Sequence, residues 1–153
     1  HIQSTSITEE EGEDFLALFV PKPEVTTIGF CVMGGIFSEG IDLKSDRLIG
    51  TVIVGVGLPQ VCLERDIIRD YFNERSNEGF EYAYMFPGMN KVMQAAGRVI
   101  RSETDRGIIL LIDERFSNRS YQNLFPREWF PYSRVAKADD ILRHANEFWN
   151  NRS

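Results

Sequence analysis

The chain has 153 residues, of which 42% are hydrophobic and 26% charged, values ordinary for one folded domain with its own core. No apolar run is long enough to span a membrane, the polar and acidic opening lacks the apolar segment of a signal peptide, and two cysteines are too few for a disulfide scaffold or a zinc ribbon. The net charge of −6 argues against a polyanionic partner, but residues 1–85 carry −9 and residues 86–153 carry +3, so a polyanion would meet the second half or backbone amides.

The predicted elements alternate between helices and short apolar strands. Helices are expected at 7–19, about 61–75, about 87–102 and about 137–150. Uninterrupted apolar runs occur at 28–33, 51–56 and 107–112. Such runs are typical of strands covered on both faces in a parallel sheet, so the order of elements predicts an α/β fold.

Two smaller patterns give further expectations. Tyr82, Tyr84 and Phe86 alternate with other residues, as in a short strand with one aromatic face. Cys31 and Cys62 lie in apolar sequence surroundings and are expected to be buried free thiols. Free thiols are typical of a reducing compartment, which predicts a cytoplasmic protein.

The stretch QAAGRVIR at 94–101 carries the strongest chemical signal. On a continuous helix, Gln94, Arg98 and Arg101 fall within roughly 60° of arc. The residues expected on the opposite, core-facing side are Met89, Met93, Ala96 and Ile100. Two anchored guanidinium groups suit a phosphate, although arginines at this spacing also occur on an ordinary solvated face.

A second segment, GGIFSEGID at 34–42, is rich in glycine and allows close approach of another group to its backbone. Ser38, Glu39 and Asp42 add a hydroxyl and two carboxylates, which also fits a tight loop with a helix N-cap. Because open α/β sheets bind ligands at the carboxyl ends of their strands, we expect both segments at that edge.

Together the pieces GGIFSEGIDL, QAAGRVIRSETDRG and ILLIDERF resemble helicase motifs V and VI of superfamily 2 and the stretch that follows them. From about residue 14 to residue 149 the chain is similar to the second RecA-like motor domain of DinG/XPD-type DNA helicases. The resemblance implies a three-layer RecA-like fold of the P-loop NTPase type, with a mainly parallel sheet that is incomplete at its N-terminus. It also implies that residues 1–153 are one C-terminal motor domain of a longer polypeptide.

The resemblance gives roles to residues of both segments. In this family the nucleotide lies between two RecA-like domains, and the second supplies arginines to the γ-phosphate; here these are Arg98 and Arg101, as catalytic residues. Gln94 would fix geometry at the same ATP cleft, and Glu39 and Asp42 would face it.

The expected DNA contacts lie in two places. By the resemblance, the backbone of Gly35, Phe37 and Ser38 would approach a DNA phosphate. From the residues alone, Arg115 and Arg119 begin a basic, aromatic-rich region where a single strand could stack on aromatic rings such as Phe125 or Trp129. The alternative is that these rings pack internally and the arginines are solvated.

The predicted function depends as much on the motifs that the sequence lacks as on those that it has. No GxxxxGK[ST] loop and no DEAH-like motif occurs, so ATP and Mg²⁺ would be held mainly by the first RecA-like domain of the same polypeptide. An iron–sulfur cluster, where the family has one, would belong to that missing part, and no metal site is expected here. The chain alone is predicted to be inactive, while the full-length protein would be an ATP-dependent helicase moving 5′ to 3′ on single-stranded DNA.

Two other functions stay open. The chain could be a non-catalytic nucleic-acid-binding or regulatory module on a RecA-like fold. It could also be a small-molecule enzyme of Rossmann type, but the GxGxxG pattern after Gly55 would need a glycine where Gln60 stands.

Overall fold

A computed structural model of the chain describes residues 1–3, 8–33, 43, 47–101 and 103–151. In chain order its main elements are α1 (Glu9–Ala17), β1 (Gly50–Val54), α2 (Leu63–Ser76), α3 (Phe86–Ala96), β2 (Ile108–Ile112), α4 (Arg119–Gln122) and α5 (Ala138–Asn150). A π-helix, Glu81–Met85, runs directly into α3, and 3₁₀ turns cover Glu114–Ser117 and Arg127–Trp129.

The two strands form a parallel pair, with Gly50 opposite Ile108 and Val54 opposite Ile112. Successive side chains of a strand point to opposite faces, and only one face of this sheet is covered by α3. On that face Ile53 is buried, whereas Val52 on the other face is exposed. The predicted α/β fold with a parallel sheet is confirmed. The expectation that both faces of the strands are covered is wrong for the described residues, because Val52 and Val54 on the second face of β1 are exposed.

Helix α3 supplies the centre of the core. Met89, Val92 and Ala96 are fully buried against the covered face of the sheet. Helix α3 comes close to the residues that follow β1 because position 88 is a glycine. An added Cβ at Gly88 would lie 2.5 Å from the carbonyl oxygen of Val56. Met89 and Ala96 are core positions that the sequence predicted, whereas Met93 is only half-buried and Val92 is buried in its place.

The aromatic stretch before α3 is helical, so the predicted strand at 82–86 is wrong. Pro87 has no N–H, which leaves the carbonyl oxygen of Ala83 without its α-helical donor. Arg65 Nη1 on α2 donates to this oxygen at 3.3 Å. The ring of Tyr82 stacks on Phe72 of α2 at 3.8 Å between centroids, so the alternating aromatics serve helix packing instead of a sheet.

The first helix is confirmed, and its start is fixed by a capping box. The Thr8 side chain accepts from the Glu11 backbone N–H, and the Glu11 carboxylate accepts from the Thr8 backbone N–H at 2.8 Å.

The strand predicted at 28–33 is reduced to one parallel bridge between Ile2 and Phe30. Residues 28, 30 and 32 are exposed, because no element of the described chain covers them.

Both cysteines are free, and both are exposed. The expectation that Cys31 and Cys62 are buried is therefore wrong. Cys31 lies in the uncovered stretch just described, and Cys62 stands at the N-cap of α2, where an apolar sequence neighbourhood does not bring burial.

Candidate functional site

The loop between α3 and β2, residues 97–107, carries both arginines and is called the arginine loop below. Helix α3 ends at Ala96, six residues earlier than predicted. The Gly97 N–H donates to the Met93 carbonyl oxygen at 2.8 Å, and the next two N–H groups make shorter-range turns. Only Gln94 therefore lies on the helix, while Arg98 and Arg101 follow its end.

Val99 fixes the arginine loop to the core. Its side chain is buried, whereas Ile100 is 47% exposed, so the predicted core position of Ile100 is wrong. The helix has already ended, and the helical period no longer applies there. A Cβ on Gly107 would lie 2.1 Å from Val99 Cγ1, so the loop can close on the start of β2 only with glycine at that position.

Asp105 fixes the loop from within. Its carboxylate oxygen Oδ2 accepts from the Arg101 backbone N–H at 2.9 Å. Arg98, Arg101, Thr104 and Asp105 each make further interactions. The Asp105 carboxylate thus holds the backbone N–H of Arg101 in place.

Gln94, Gly97, Arg98 and Arg101 line one open depression of about 420 Å³. The three polar side chains come together as predicted, although a turn and not a single helical stripe brings them there. Arg98 is partly buried and Arg101 is exposed, so neither guanidinium is enclosed in the core. Two guanidinium groups at one concave surface offer forked N–H donors and positive charge to an anion.

The arginine loop lies at the amino ends of the strands. Gly107 directly precedes β2 and approaches the Ile49 carbonyl oxygen, just before β1, and the Ile108 N–H donates to that same oxygen. The expectation that this segment lies at the carboxyl edge is therefore wrong. The reason is topological, since a loop that leads into a strand meets the end where that strand begins.

The carboxyl edge is occupied by a different pair. Asp113 follows β2, and the Arg115 guanidinium donates to both oxygens of its carboxylate. Nε lies 2.8 Å from Oδ1 and Nη2 lies 2.7 Å from Oδ2. Asp113 also accepts from the Arg115 backbone N–H at 2.9 Å. The side-chain hydrogen bonds from Arg115 hold the pKa of the Asp113 carboxyl below its usual range.

The structure separates the two groups of predicted site residues. Arg98 and Arg101 lie at one edge of the sheet, and Arg115 lies at the other, a strand length of about 13 Å or more away. Arg119 is exposed at the start of α4. The remaining candidates, Gly35, Phe37, Ser38, Glu39 and Asp42, lie outside the described residues.

Val99, Asp105 and Gly107 have no predicted role. Asp105 and Gly107 carry a sequence signal, because an aspartate and a glycine separated by one residue stand at the start of a predicted strand. Within the described part of the chain, no group of three or more His, Cys, Asp or Glu side chains could hold a metal ion. None of the helices described there is long and apolar enough to cross a membrane.

Comparison with a solved structure defines the class of the fold. A structure named XPD_APO superposes with a TM-score of 0.62 and 23% sequence identity, over 80% of this chain and 25% of that one. The chain thus shares its α/β fold with part of that structure. The family model described as "Helicase C-terminal domain" matches residues 1–132, and the chain belongs to this family.

Named relatives agree with the family. The chain is 32% identical to the ATP-dependent DNA helicase DinG of Photobacterium profundum, over 66% of this chain and 15% of that protein. It is 33% identical to the regulator of telomere elongation helicase 1 homolog of Oryza sativa subsp. japonica, over 92% of this chain and 15% of that protein. The XPD helicase subunit of transcription and DNA repair factor IIH of Dictyostelium discoideum is 31% identical over 63% of this chain and 12% of its own length. The chain therefore spans less than a sixth of the length of these relatives.

Proposed function

We propose that this chain is the second RecA-like motor domain, residues 1–153, of an ATP-dependent DNA helicase. The family membership supports the domain type, and the named relatives are helicases, two of them explicitly ATP-dependent or DNA repair proteins. The observation that carries the proposal is the shared depression lined by Gln94, Arg98 and Arg101.

In this proposal the depression faces the first RecA-like domain of the same polypeptide, which holds most of the ATP and its Mg²⁺. Arg98 and Arg101 donate to the γ-phosphate and stabilise the charge that develops on the transferred phosphoryl group. Gln94 positions the reacting groups at the same surface. Asp105 and the buried Val99 limit movement of the loop, so the guanidinium groups are in place before the cleft closes.

Glu39 and Asp42 are proposed to face this cleft, and the backbone of Gly35, Phe37 and Ser38 is proposed to approach a phosphate of the DNA track. Arg115 and Arg119 are proposed to lie toward the DNA, at the sheet edge opposite the arginine loop. Closing and opening of the cleft would then move single-stranded DNA in the 5′-to-3′ direction. The two unpaired cysteines suit a reducing compartment such as the cytoplasm.

The test is ATP turnover by the full-length polypeptide carrying Arg98→Ala or Arg101→Ala. Each change is expected to lower kcat by about 10³-fold or more, the scale of an arginine that acts on the transition state. Arg98→Lys is expected to recover little, because an ammonium group cannot reproduce the planar fork. Arg75→Ala, at an exposed arginine on α2 that stacks on Tyr71, is the matched control and should keep normal turnover. Normal turnover in both alanine variants would refute the assigned role.

A further inference from the structure

Residues 119–137 combine basic and aromatic side chains and are here called the basic aromatic segment. Its basic residues are Arg119, Arg127, Arg134 and Lys137, and its one acidic residue is Glu128. This balance of +3 stands in a protein whose net charge is −6. A local positive field of this kind attracts a polyanion even when the whole molecule is acidic.

The aromatic rings of this segment divide into a buried base and an exposed surface. Phe125 and Trp129 pack against the hydrophobic core, with their ring centroids 5.2 Å apart. Phe130 and Tyr132 are 51% and 39% exposed, and their centroids are 5.4 Å apart. Tyr132 also meets the Phe125 ring edge to face at 5.7 Å, so the exposed pair rests on rings that the core holds.

This division changes which rings are accessible to a ligand. The sequence suggested Phe125 or Trp129 as stacking surfaces, but both are partly buried in packing contacts. Phe130 and Tyr132 offer ring faces to solvent instead. Rings held by their neighbours lose little conformational entropy on binding, which favours their use as a stacking platform.

Among the described residues, the arginines of the segment pair with no carboxylate. Arg69, Arg115 and Arg143 each pair with an aspartate, whereas Arg119, Arg127 and Arg134 take part in none of the ion pairs of the described residues. All three are exposed. Their charge is therefore available to an external anion, and Arg127 and Arg134 flank the two exposed rings in sequence.

We propose that the basic aromatic segment binds single-stranded DNA, with bases stacked on Phe130 and Tyr132 and phosphates on Arg127 and Arg134. Exposed aromatic rings among unpaired cations are the combination that binds a single strand, because bases stack on rings while the backbone meets positive charge. An apolar protein partner would not need the excess of cations. This inference rests on the proposed function and names a DNA contact that the arginine loop does not provide.

The experiment measures binding of a labelled oligothymidylate to the full-length protein by fluorescence anisotropy at fixed salt. Phe130→Leu and Tyr132→Leu keep apolar volume but remove the stacking surface. The double variant is expected to raise the Kd by roughly tenfold or more, the scale of lost base stacking. Its affinity for an abasic oligonucleotide of the same length and charge should be unchanged.

Tyr71→Leu is the matched control, because Tyr71 is a similarly exposed aromatic residue, 48% accessible, on α2. It should bind both oligonucleotides like the unmodified protein. Equal melting temperatures for all variants would show that the fold is retained. If Phe130→Ala and Tyr132→Ala are used instead, a melting temperature lowered in step with the loss of binding would count against a stacking role.

The outcomes separate this inference from the proposed function. Unchanged thymidylate binding in the double variant, or an equal loss with the abasic strand, would overturn the inference while leaving the ATP turnover results untouched. An unmodified protein that hydrolyses ATP through Arg98 but binds no single-stranded DNA would overturn only the DNA contact. A full-length protein with neither activity would overturn both.

Discussion

Arg115 and the two arginines of the arginine loop lie at opposite edges of the sheet, in different surroundings. Arg115 forks onto Asp113, whose side chain is only 14% exposed, and this pair closes the carboxyl end of β2. Arg98 and Arg101 line an open depression at the other edge of the sheet. The first arrangement stabilises the fold, and in the proposed function the second presents donors to the γ-phosphate of ATP.

The Asp113–Arg115 pair gives a prediction about pH and stability. The pKa of Asp113 is lower in the folded protein than in the unfolded chain, so its stabilisation is complete above about pH 4 and disappears as the pH falls through the lower, folded value. Asp113→Asn is expected to lower the free energy of unfolding at neutral pH by about 1 kcal/mol. Urea unfolding at neutral pH and at about pH 2.5 measures the difference, which should shrink at the acid end.

The matched control is Asp70→Asn. Asp70 also accepts from an arginine, Arg69 at 2.9 Å, but its side chain is 64% exposed, and the pair is expected to contribute little. A loss at Asp70 as large as that at Asp113, or a loss at Asp113 that does not depend on pH, would contradict this account.

At the scale of elements, the Arg106 side chain links the arginine loop to the end of α5. None of its residues is buried, and its last turn carries no basic residue to meet the negative end of the helix dipole. Arg106 supplies that charge: its Nη2 donates to the carbonyl oxygens of Phe148 and Asn151 at 2.9 and 3.1 Å. Its guanidinium also lies 5.0 Å from the Phe148 ring centroid.

Arg106→Ala is therefore expected to loosen α5. Two terminal carbonyl groups lose their donor, and the contacts with the Phe148 and Trp149 rings disappear, a change of about 1–2 kcal/mol in the stability of this helix. Hydrogen exchange over residues 138–150 measures it, and protection should fall there while α3 stays protected.

Arg143→Ala is the control for this experiment, because Arg143 pairs only with exposed groups on the same helix. It should change protection of α5 by less than about 0.5 kcal/mol. Unchanged exchange in Arg106→Ala would show that other contacts hold the helix.

At the scale of the whole molecule, the chain presents cations but no phosphate-binding loop. The arginine loop stands at the amino ends of the parallel strands, and the basic aromatic segment follows their carboxyl ends. In the proposed function the arginine loop acts on ATP and the basic aromatic segment contacts DNA. The short sheet between them keeps the two regions at a fixed distance from each other.

A prediction about the separate chain follows. The 153-residue chain on its own has no GxxxxGK[ST] motif, so it is expected to bind ATP with a Kd weaker than about 1 mM and not to hydrolyse it. Isothermal calorimetry measures the binding, with the full-length protein as the positive control. Micromolar affinity in the separate chain would mean that its nucleotide site is more complete than proposed.

The sequence by itself determined the elements whose periodicity is strong. The helices expected at about 61–75 and 137–150 are α2 and α5, and two of three apolar runs are the paired strands. These elements follow from local chemistry, since apolar spacing and composition act over a few residues. Gln94, Arg98 and Arg101 also meet at one surface, as predicted, but the turn after α3 brings them together and not the helical period.

Only the tertiary structure decided where those elements end and what covers them. Helix α3 stops at Ala96 because the chain must turn to place Val99 in the core and Gly107 at the start of β2. The run at 28–33 is exposed and the aromatic stretch before α3 is helical, because burial and pairing depend on partners distant in sequence. Local patterns predict which face of a helix or strand is apolar. The path of the whole chain sets which partner covers that face and which edge of the sheet a loop reaches.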